Sequence, residues 1–456
     1  MHRLCQWILG IFVFMAFAAA AEAAPYQEST EEQAQLELFC AWTDMAAYDD
    51  RLGNLARWQI AEGGWDIDNY HESTPTADAR FFILHRQLPV TGEHIYILAI
   101  PGTETKQDIR VDLKLGKVYF AGADREEFAA AAAQQQLTAD MPMVHKGFNE
   151  YTQTAFFTRV HEDGRTLGEY LRDELLSEPN AKLYITGHSL GGAVAVLLSA
   201  RLQSMGVPAE QLEAVTFGAP AAGNAAFARA FAAMQQDRIV IEGDPIQALL
   251  QSLPNGYAQF GEKKEWKRTH STQNFQHSML VYADAALRHF YDLQPESAGG
   301  RSETGRFQAS PVLQAAVYMA KPQFELHEDL RPEAIYMRRS LQDHLRSRLR
   351  GVVLDTDGPG DIAEICARAR EAGCQYVLQE NIYGERAKDT QEYIFHMGLQ
   401  EELYDLDGNL LFAQSSSTST EDMTPIEALL YNQIAIQSGR EEALQAHMEK
   451  GQTAFQ

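Results

Sequence analysis

Residues 182–202 change from a strand pattern to a helix pattern across a tight turn that contains one serine. Lys182–Thr186 alternates polar and apolar residues and is rich in β-formers, which predicts a strand. The turn, Gly187–Gly191, reads Gly-His-Ser-Leu-Gly, and its outer glycines have no β-carbon to block the bend. Apolar residues at helical spacing follow it: Ala193, Val194, Leu197, Leu198 and Leu202. Such a turn pushes Ser189 out of the sheet and places the next amide at a helix N-terminus, where it favours a developing negative oxygen. The segment therefore predicts that Ser189 is a nucleophile.

The length and charge of the chain limit the classes of protein to which it can belong. At 456 residues, the chain exceeds the roughly 250–300 residues at which a single core stops growing, so two domains are expected. Its 45% share of hydrophobic residues is that of an ordinary globular protein. The net charge of −25 argues against the binding of nucleic acid and against electrostatic docking on anionic lipid.

Residues 1–23 have the pattern of a secretory signal peptide. Arg3 supplies a positive start, Trp7–Phe17 an apolar core, and Ala21–Ala23 a cleavage site with small residues at both ends. A retained membrane anchor is the alternative, although the apolar stretch is short for a membrane span. The segment predicts export, with a final location that is secreted, periplasmic or in the cell envelope.

Strand and helix patterns alternate within residues 24–293, the first predicted domain. The predicted strands also include Phe81–Leu88, His94–Ile100, Ala214–Phe217 and Arg238–Ile241, and helices are predicted within residues 26–60 and at Glu150–Val160, Thr166–Leu176 and Ala225–Met234. This alternation predicts an α/β fold with a mostly parallel sheet covered on both faces. In such folds, ligands bind at the carboxyl ends of the strands.

A segment poor in apolar residues, 294–315, is predicted to be a linker to a smaller C-terminal α+β domain at residues 316–456. The predicted elements of that domain are the helices Pro332–Leu349, Ile362–Ala372 and one from Pro425, and the strands Gly351–Leu354, Gln375–Ile382, Tyr393–Tyr404 and Asn409–Ala413. The last three strands are expected to form a meander. Cys366 and Cys374 could form a disulfide or remain two buried thiols.

A serine nucleophile needs an imidazole base, which a carboxylate orients, and in folds with this turn the chain order is serine, acid, histidine. Asp244 fits the acid because it follows the strand Arg238–Ile241 at the carboxyl end of the sheet. The alternative is that Asp244 only binds nearby amides in a Gly-Asp-Pro turn. Glu242 and Asp237 are weaker candidates, since the first abuts the end of that strand and the second precedes its start.

Three histidines between Asp244 and the predicted linker compete for the role of base. His277 opens a helix, His270 lies in a polar run, and His289 falls near the end of the helix. A base that enters from a loop at the helix start reaches the sheet edge most easily, which favours His277. His289 is expected at the surface or near the negative helix end. His188, next to the nucleophile, is expected to point away from Ser189 and to act as a packing residue.

A second oxyanion donor must come from another loop at the same edge. The strand His94–Ile100 ends in Pro101-Gly102-Thr103, and the backbone N–H of Thr103 could pair with that of Leu190 to hold the negative oxygen. An ordinary Pro-Gly turn is the alternative.

Several short motifs follow one another along residues 94–290. They are Pro101-Gly102-Thr103, Asp112-Leu113, Val144–Phe148, Gly187–Ala193, Thr216–Asn224, Asp244–Ile246, and His277 with Tyr282. In this order they resemble the fungal-type, or class 3, lipases of the α/β-hydrolase fold. Two departures are that Pro101 replaces the usual Arg of that family and that Gln247-Ala248 replaces the usual Pro-rich end of the aspartate block.

The resemblance implies a catalytic triad of Ser189, Asp244 and His277, oxyanion donors at Thr103 and Leu190, and hydrolysis of lipid esters without a cofactor. A helical lid follows the oxyanion turn in that family, and residues 104–115 occupy its place. The Ala-rich insertion at residues 125–137 is an alternative cover.

The sequence thus predicts an exported carboxylic-ester hydrolase, in first place a lipase that acts on acylglycerols and contacts a lipid interface. Phospholipase A1 and feruloyl-type esterase are alternatives that would use the same residues. An alternative of another class is a noncatalytic envelope protein whose C-terminal domain binds a protein partner. The sequence contains no recognised metal-ligand spacing.

Overall fold

The computed structural model describes residues 30–89, 91–102, 116–246, 250–251, 256–268, 277–294, 307, 311–387 and 394–453. The predicted signal peptide, Thr103 and the predicted lid at 104–115 lie outside these ranges, as do His270 and most of the predicted linker.

A seven-stranded sheet in the order β1-β2-β3-β6-β7-β8-β9 organises the first part of the chain. Its strands are β1 (Asp66–Ser73), β2 (Asp78–Gln87), β3 (His94–Ile100), β6 (Lys182–His188), β7 (Leu212–Phe217), β8 (Gln235–Ile241) and β9 (Glu262–Trp266). The pairs β1–β2 and β2–β3 are antiparallel, whereas the neighbours from β3 to β9 are parallel. The carboxyl ends of β3, β6, β7 and β8 therefore meet at one edge. The mostly parallel sheet predicted from the sequence is confirmed.

Helices cover both faces of this sheet. They are α1 (Glu31–Ala46), α2 (Arg51–Glu62), α3 (Arg125–Ala132), α4 (Lys146–Phe156), α5 (Leu167–Ser177), α6 (Leu190–Ser204), α7 (Ala225–Ala230) and α8 (Met279–Leu293), and a small pair joins β4 (Lys117–Tyr119) to β5 (Met143–His145). Successive strand residues pack on opposite sides: Phe82 joins the core under α1 and α8, and Phe81 joins the core under α4 to α6. Burial on both faces explains why the parallel strands read as apolar runs.

Local signals fix several helix starts. The Thr30 side chain accepts a hydrogen bond from the Gln33 amide at the start of α1, and Thr166 and Glu169 form a capping box at the start of α5. The helix predicted at Glu150–Val160 begins earlier, as α4, because the His145 ring accepts the amide of Phe148 and caps it.

The C-terminal part forms a second sheet in the order β14-β11-β15-β16-β17, with β12 paired to β15. Its elements are β11 (Val317–Met319), β12 (Gln323–Leu326), α9 (Ala334–Arg348), β14 (Val353–Leu354), α10 (Ile362–Glu371), β15 (Tyr376–Arg386), β16 (Phe395–Asp405), β17 (Leu410–Ser419) and α11 (Pro425–Thr453), and β10 (Leu313–Gln314) pairs with β13 (Leu349–Arg350). The three long strands form the predicted antiparallel meander. Cys366 and Cys374 are buried free thiols.

The two parts share one apolar core. Leu287 and Tyr291 of α8 belong to the same buried cluster as Leu341 of α9 and Ile436 of α11. Phe307, within the predicted linker, packs against the rings of the first part, with 5.4 Å between its ring centroid and that of Phe39. None of the helices in the described ranges is long and apolar enough to cross a membrane.

Candidate active site

The turn between β6 and α6 holds Ser189 in an unusual backbone conformation. Its φ of 56° and ψ of −123° make it the one non-glycine residue with a positive φ in the part of the chain that the structure describes. The Ser189 amide donates to the Phe217 carbonyl across 2.9 Å, which fixes the turn to the end of β7. A β-carbon on Gly191 would lie 2.1 Å from the Ile100 carbonyl oxygen, so glycine allows α6 to begin against the end of β3. As the first residue of α6, Leu190 directs its amide out of the helix at this edge.

The structure brings Ser189, His277 and Asp244 together. His277 Nε2 lies 2.7 Å from Ser189 Oγ, and His277 Nδ1 lies 2.8 Å from Asp244 Oδ2. Each residue comes from a different loop at the carboxyl edge: after β6, after β8 and before α8. Ser189 is half-buried, and the His277 side chain is 12% exposed, so the serine is open to a ligand while its partners are shielded.

The Asp244 carboxylate is buried and has several donors. Its Oδ2 accepts from Tyr282 across 2.6 Å in addition to His277, and its Oδ1 accepts from the Ile246 amide across 2.8 Å. Burial by itself raises the pKa of Asp244, but the hydrogen bonds from His277 and Tyr282 outweigh it, and the pKa lies below its usual value. The carboxylate therefore stays ionised and can hold the Nδ1 proton of His277.

Tyr282, on the first turn of α8, connects this carboxylate to the sheet. Its hydroxyl accepts from the Ile241 amide at the end of β8 and donates to Asp244. Burial and the neighbouring Asp244 raise the pKa of Tyr282 above its usual value, so the phenol keeps the proton that it donates. The sequence motif contained this tyrosine, but its contact with the acid became visible only in the fold.

His188 is buried beside the site, and both of its ring nitrogens form hydrogen bonds. Its Nε2 lies 2.8 Å from the carbonyl oxygen of His277, and its Nδ1 lies 2.6 Å from the hydroxyl of Tyr48, which follows α1. Sequence reasoning missed Tyr48 because it lies 140 residues from His188 and carries no motif.

The competing candidates lie elsewhere. Asp237, at the start of β8, accepts from Lys264 and Gln33. Glu242 is exposed, and His289 packs on the Trp266 ring with 5.0 Å between ring centroids. The second predicted oxyanion donor, Thr103, and the third histidine, His270, lie outside the described residues. Among the residues that the structure describes, no group of three or more His, Cys, Asp or Glu side chains is placed to hold a metal ion.

A mostly parallel sheet, a strained serine turn after its central strand, and an acid and a histidine at the same edge define an α/β-hydrolase fold with a serine–histidine–aspartate arrangement. Residues 97–252 match the family model described as lipase (class 3). This part of the chain is therefore similar to the class 3 lipases.

Individual relatives match over shorter stretches. A lipase of Caenorhabditis elegans is 37% identical over 86 residues, which are 18% of this chain and 24% of that protein. The secreted mono- and diacylglycerol lipase A of Penicillium cyclopium is 36% identical over 80 residues, 17% of this chain and 26% of that protein. The chain thus spans about a quarter of the length of these curated relatives.

Solved lipase structures resemble this chain at low sequence identity. The Rhizomucor miehei triacylglyceride lipase has a TM-score of 0.39 and 19% identity, with 53% of this chain and 83% of that chain covered. The M37 lipase has a TM-score of 0.41 and 16% identity, with 58% of this chain and 93% of that chain covered.

Proposed function

We propose that the protein is an exported serine carboxylic-ester hydrolase that acts as a lipase on acylglycerols. The observation that carries this proposal is the continuous hydrogen-bonded chain from Ser189 Oγ through the His277 imidazole to Asp244, with distances of 2.7 and 2.8 Å. A serine hydroxyl becomes a useful nucleophile when a base is within hydrogen-bond reach and a third group orients that base. Ser189, His277 and Asp244 fill these roles.

The proposed reaction is acyl transfer in two steps. His277 Nε2 accepts the Ser189 proton as Oγ attacks the ester carbonyl, and the resulting imidazolium then protonates the leaving alcohol. Water enters, and His277 takes one of its protons as the water oxygen attacks the acyl carbon. The bond from that carbon to Ser189 Oγ then breaks, the His277 imidazolium returns the proton to Oγ, and the carboxylic acid leaves. Asp244 stays ionised throughout and keeps the Nδ1 proton of His277 in place.

The tetrahedral oxygen needs two amide donors in this proposal. The Leu190 amide at the start of α6 is one, because the first amides of a helix have no partner within the helix. The Thr103 amide is the proposed second donor, since Thr103 directly follows Gly102 at the end of the β3 strand that packs on Gly191.

The substrate class and the location are supported by the relatives. The matched family is described as a lipase family, and two Penicillium relatives are named secreted mono- and diacylglycerol lipases. The signal-peptide pattern at residues 1–23 agrees with export. We propose that residues 24–293 form the hydrolase domain, 294–315 a linker and 316–456 a C-terminal domain, and that the C-terminal domain binds a protein partner.

A fluorophosphonate probe tests the nucleophile. It should label the wild-type enzyme at Ser189, and Ser189→Ala should lose both the label and several orders of magnitude in turnover while the protein remains folded. Ser204→Ala, at the other end of α6, is the matched control and should keep both. Failure of the wild-type protein to be labelled would favour the noncatalytic alternative.

A substrate panel then tests the specificity. Diolein and triolein should be hydrolysed faster than phosphatidylcholine or a feruloyl ester if the enzyme is an acylglycerol lipase. A preference for phosphatidylcholine or for the feruloyl ester would assign phospholipase A1 or feruloyl esterase activity to the same three residues.

A further inference from the structure

Three hydrogen bonds connect loops on opposite sides of the serine. The Gly102 amide donates to the Tyr48 hydroxyl across 3.0 Å, that hydroxyl lies 2.6 Å from His188 Nδ1, and His188 Nε2 lies 2.8 Å from the His277 carbonyl oxygen. Gly102 directly precedes Thr103, the proposed oxyanion donor, and His277 is the proposed base. The chain of contacts therefore joins the loop after β3 to the loop that carries the proposed base.

The donors and acceptors along this chain allow one arrangement only. The His277 carbonyl can only accept, so Nε2 of His188 must carry a proton. A neutral imidazole has one N–H, which leaves Nδ1 as an acceptor, and the Tyr48 hydroxyl must donate to it. The oxygen of Tyr48 then accepts from the Gly102 amide, so every bond in the chain has a donor and an acceptor.

The surroundings keep His188 neutral, as this arrangement requires. Burial, followed by the nearby His277, lowers the pKa of His188 from 6.5 to about 3. At pH values well above 3, His188 therefore adds no second positive charge beside the imidazolium of His277.

Space around Gly102 is tight as well. A β-carbon on this residue would lie 2.4 Å from the Tyr48 hydroxyl oxygen and 3.1 Å from His188 Nδ1. The backbone of the loop after β3 therefore lies directly against the two side chains, and no β-carbon fits between them.

We propose that Tyr48 and His188 are positioning residues that tie the loop of the base to the loop of the oxyanion donor. Neither touches the reacting atoms. His188 holds the backbone of His277, so that its ring faces both Ser189 and Asp244, and Tyr48 holds the amide of Gly102, the residue before the proposed donor. Since both loops are fixed to one hydrogen-bonded unit, a shift of one is resisted by the other, and rates fall steeply when catalytic groups are misplaced by as little as about 1 Å. This inference rests on the proposed function.

The kinetics of a double-mutant cycle test the coupling between Tyr48 and His188. Tyr48→Phe removes the hydroxyl alone, and His188→Gln replaces the rigid ring that joins the two contacts with a flexible amide. Each single variant should lower kcat roughly tenfold or more on a soluble ester, with KM changed less than about threefold, because transition-state geometry is lost and ground-state binding is not. The double variant should be about as slow as the slower single variant. Single variants with wild-type kcat, or a double variant whose loss equals the product of the single losses, would overturn the proposal.

Tyr70→Phe is the matched control. Like the Tyr48 hydroxyl, the Tyr70 hydroxyl hydrogen-bonds to the backbone of another element, since it donates to the Val160 carbonyl across 2.8 Å, but Tyr70 lies on the edge strand β1. This variant should keep wild-type kcat, which separates the proposed role from a general effect of losing one tyrosine hydrogen bond. Thermal unfolding of all variants verifies that they are folded.

The tautomer of His188 gives a second readout that does not depend on turnover. Long-range ¹⁵N–¹H spectra of histidine-labelled protein, with the signal of His188 assigned by its loss in His188→Gln, should show the neutral Nε2–H form from about pH 5 to pH 9. An Nδ1–H or doubly protonated form of His188 would overturn the proposed hydrogen-bonded unit even if the enzyme is active. A wild-type protein that shows the expected tautomer but neither turnover nor probe labelling would refute the proposed function and leave the hydrogen-bonded unit standing as structure.

Discussion

Gly218 follows β7 at the point where the acid, the base and Tyr282 converge. A β-carbon here would lie 2.8 Å from Asp244 Oδ2, 2.8 Å from the Tyr282 hydroxyl and 3.1 Å from His277 Cε1. Its φ of 60° is also in the left-handed region, which side chains disfavour. Backbone conformation and lack of room thus both demand glycine beside the carboxylate.

Gly218→Ala should therefore damage activity more than stability. The added methyl group must displace Asp244 or Tyr282, and we expect kcat to fall roughly a hundredfold or more because the base loses its orientation. The positive φ alone costs on the order of 1–2 kcal/mol of unfolding free energy. Gly206→Ala is the control, since Gly206 has a φ of 93° and nothing within 4 Å of the added carbon. Equal kcat losses in the two variants, measured on one soluble ester, would contradict this account.

At this scale, the sequence predicted the residues that carry a motif. Ser189 stands out through the turn that surrounds it, and Asp244 and His277 follow from chain order and from their position after a strand and before a helix. Tyr48 could not be predicted, because its partner is reached only when α1 packs across the sheet. The contact of His188 with the His277 carbonyl depends in the same way on the end of β6 and the start of α8, which only the folded sheet brings together.

Among the elements, the turn from β6 to α6 stores backbone strain. The conformation of Ser189, φ 56° and ψ −123°, belongs to the regions that glycine occupies freely and other residues at a cost of roughly 1–3 kcal/mol. Packing on both sides holds it there, since the Ser189 amide donates to Phe217 and α6 begins against β3. The strain exposes the hydroxyl at the sheet edge.

Glycine at position 189 should relieve this strain. Ser189→Gly is expected to be more stable than Ser189→Ala by about 1 kcal/mol, even after the greater entropy of glycine in the unfolded chain is counted. Urea unfolding of the two inactive variants measures the difference. At Ser199, inside α6, the order should reverse, because glycine in a helix interior is about 1 kcal/mol worse than alanine. The same order at both positions would argue against strain at the turn.

Sequence analysis did not predict the strands β1 and β9, because their residues are mostly polar. The strand β1 is largely exposed and polar, and β9 reads Glu-Lys-Lys-Glu-Trp, so neither shows an apolar run. Pairing with β2 and β8 makes them strands, which is a tertiary effect. The strand predicted at Asn409–Ala413 continues to Ser419 as β17 because β16 offers partners along the whole serine-rich stretch.

Across the whole molecule, the C-terminal part packs directly on the helix that begins after the base. Residues of α8 are buried almost throughout, and Arg288 of this helix forms ion pairs with Asp284 and with Glu333 of the C-terminal part. The buried pair Arg440–Glu401, at 2.8 Å, lies deeper in that part, between α11 and β16. Because α8 is covered from both sides, the position of His277 depends on both parts of the chain.

Glu427, on the first turn of α11, lies at this junction. It is 3% exposed, and its carboxylate accepts from the Thr424 amide across 2.9 Å. Burial, followed by the charge of Asp284, raises the pKa of Glu427 from 4.5 to about 8. The folded protein therefore binds a proton at this site between about pH 4.5 and pH 8 that the unfolded chain has released.

Stability should fall as pH rises through this window, since the native state then holds more protons than the unfolded state. The contribution of Glu427 is fully present below pH 4.5 and is lost by about pH 8. Glu427→Gln keeps an acceptor for Thr424 but cannot ionise, so it should match the wild type near pH 5 and exceed its unfolding free energy at pH 8 by on the order of 3 kcal/mol. Denaturant unfolding at both pH values measures the difference, and other buried carboxyl groups cancel because both proteins contain them. The control Glu442→Gln, on an exposed position of the same helix, should run parallel to the wild type at both pH values. The unfolding free energy of Glu427→Gln could instead differ from that of the wild type by the same amount at both pH values. That result would mean that Glu427 is already ionised at pH 5 and that the junction of the two parts tolerates its charge.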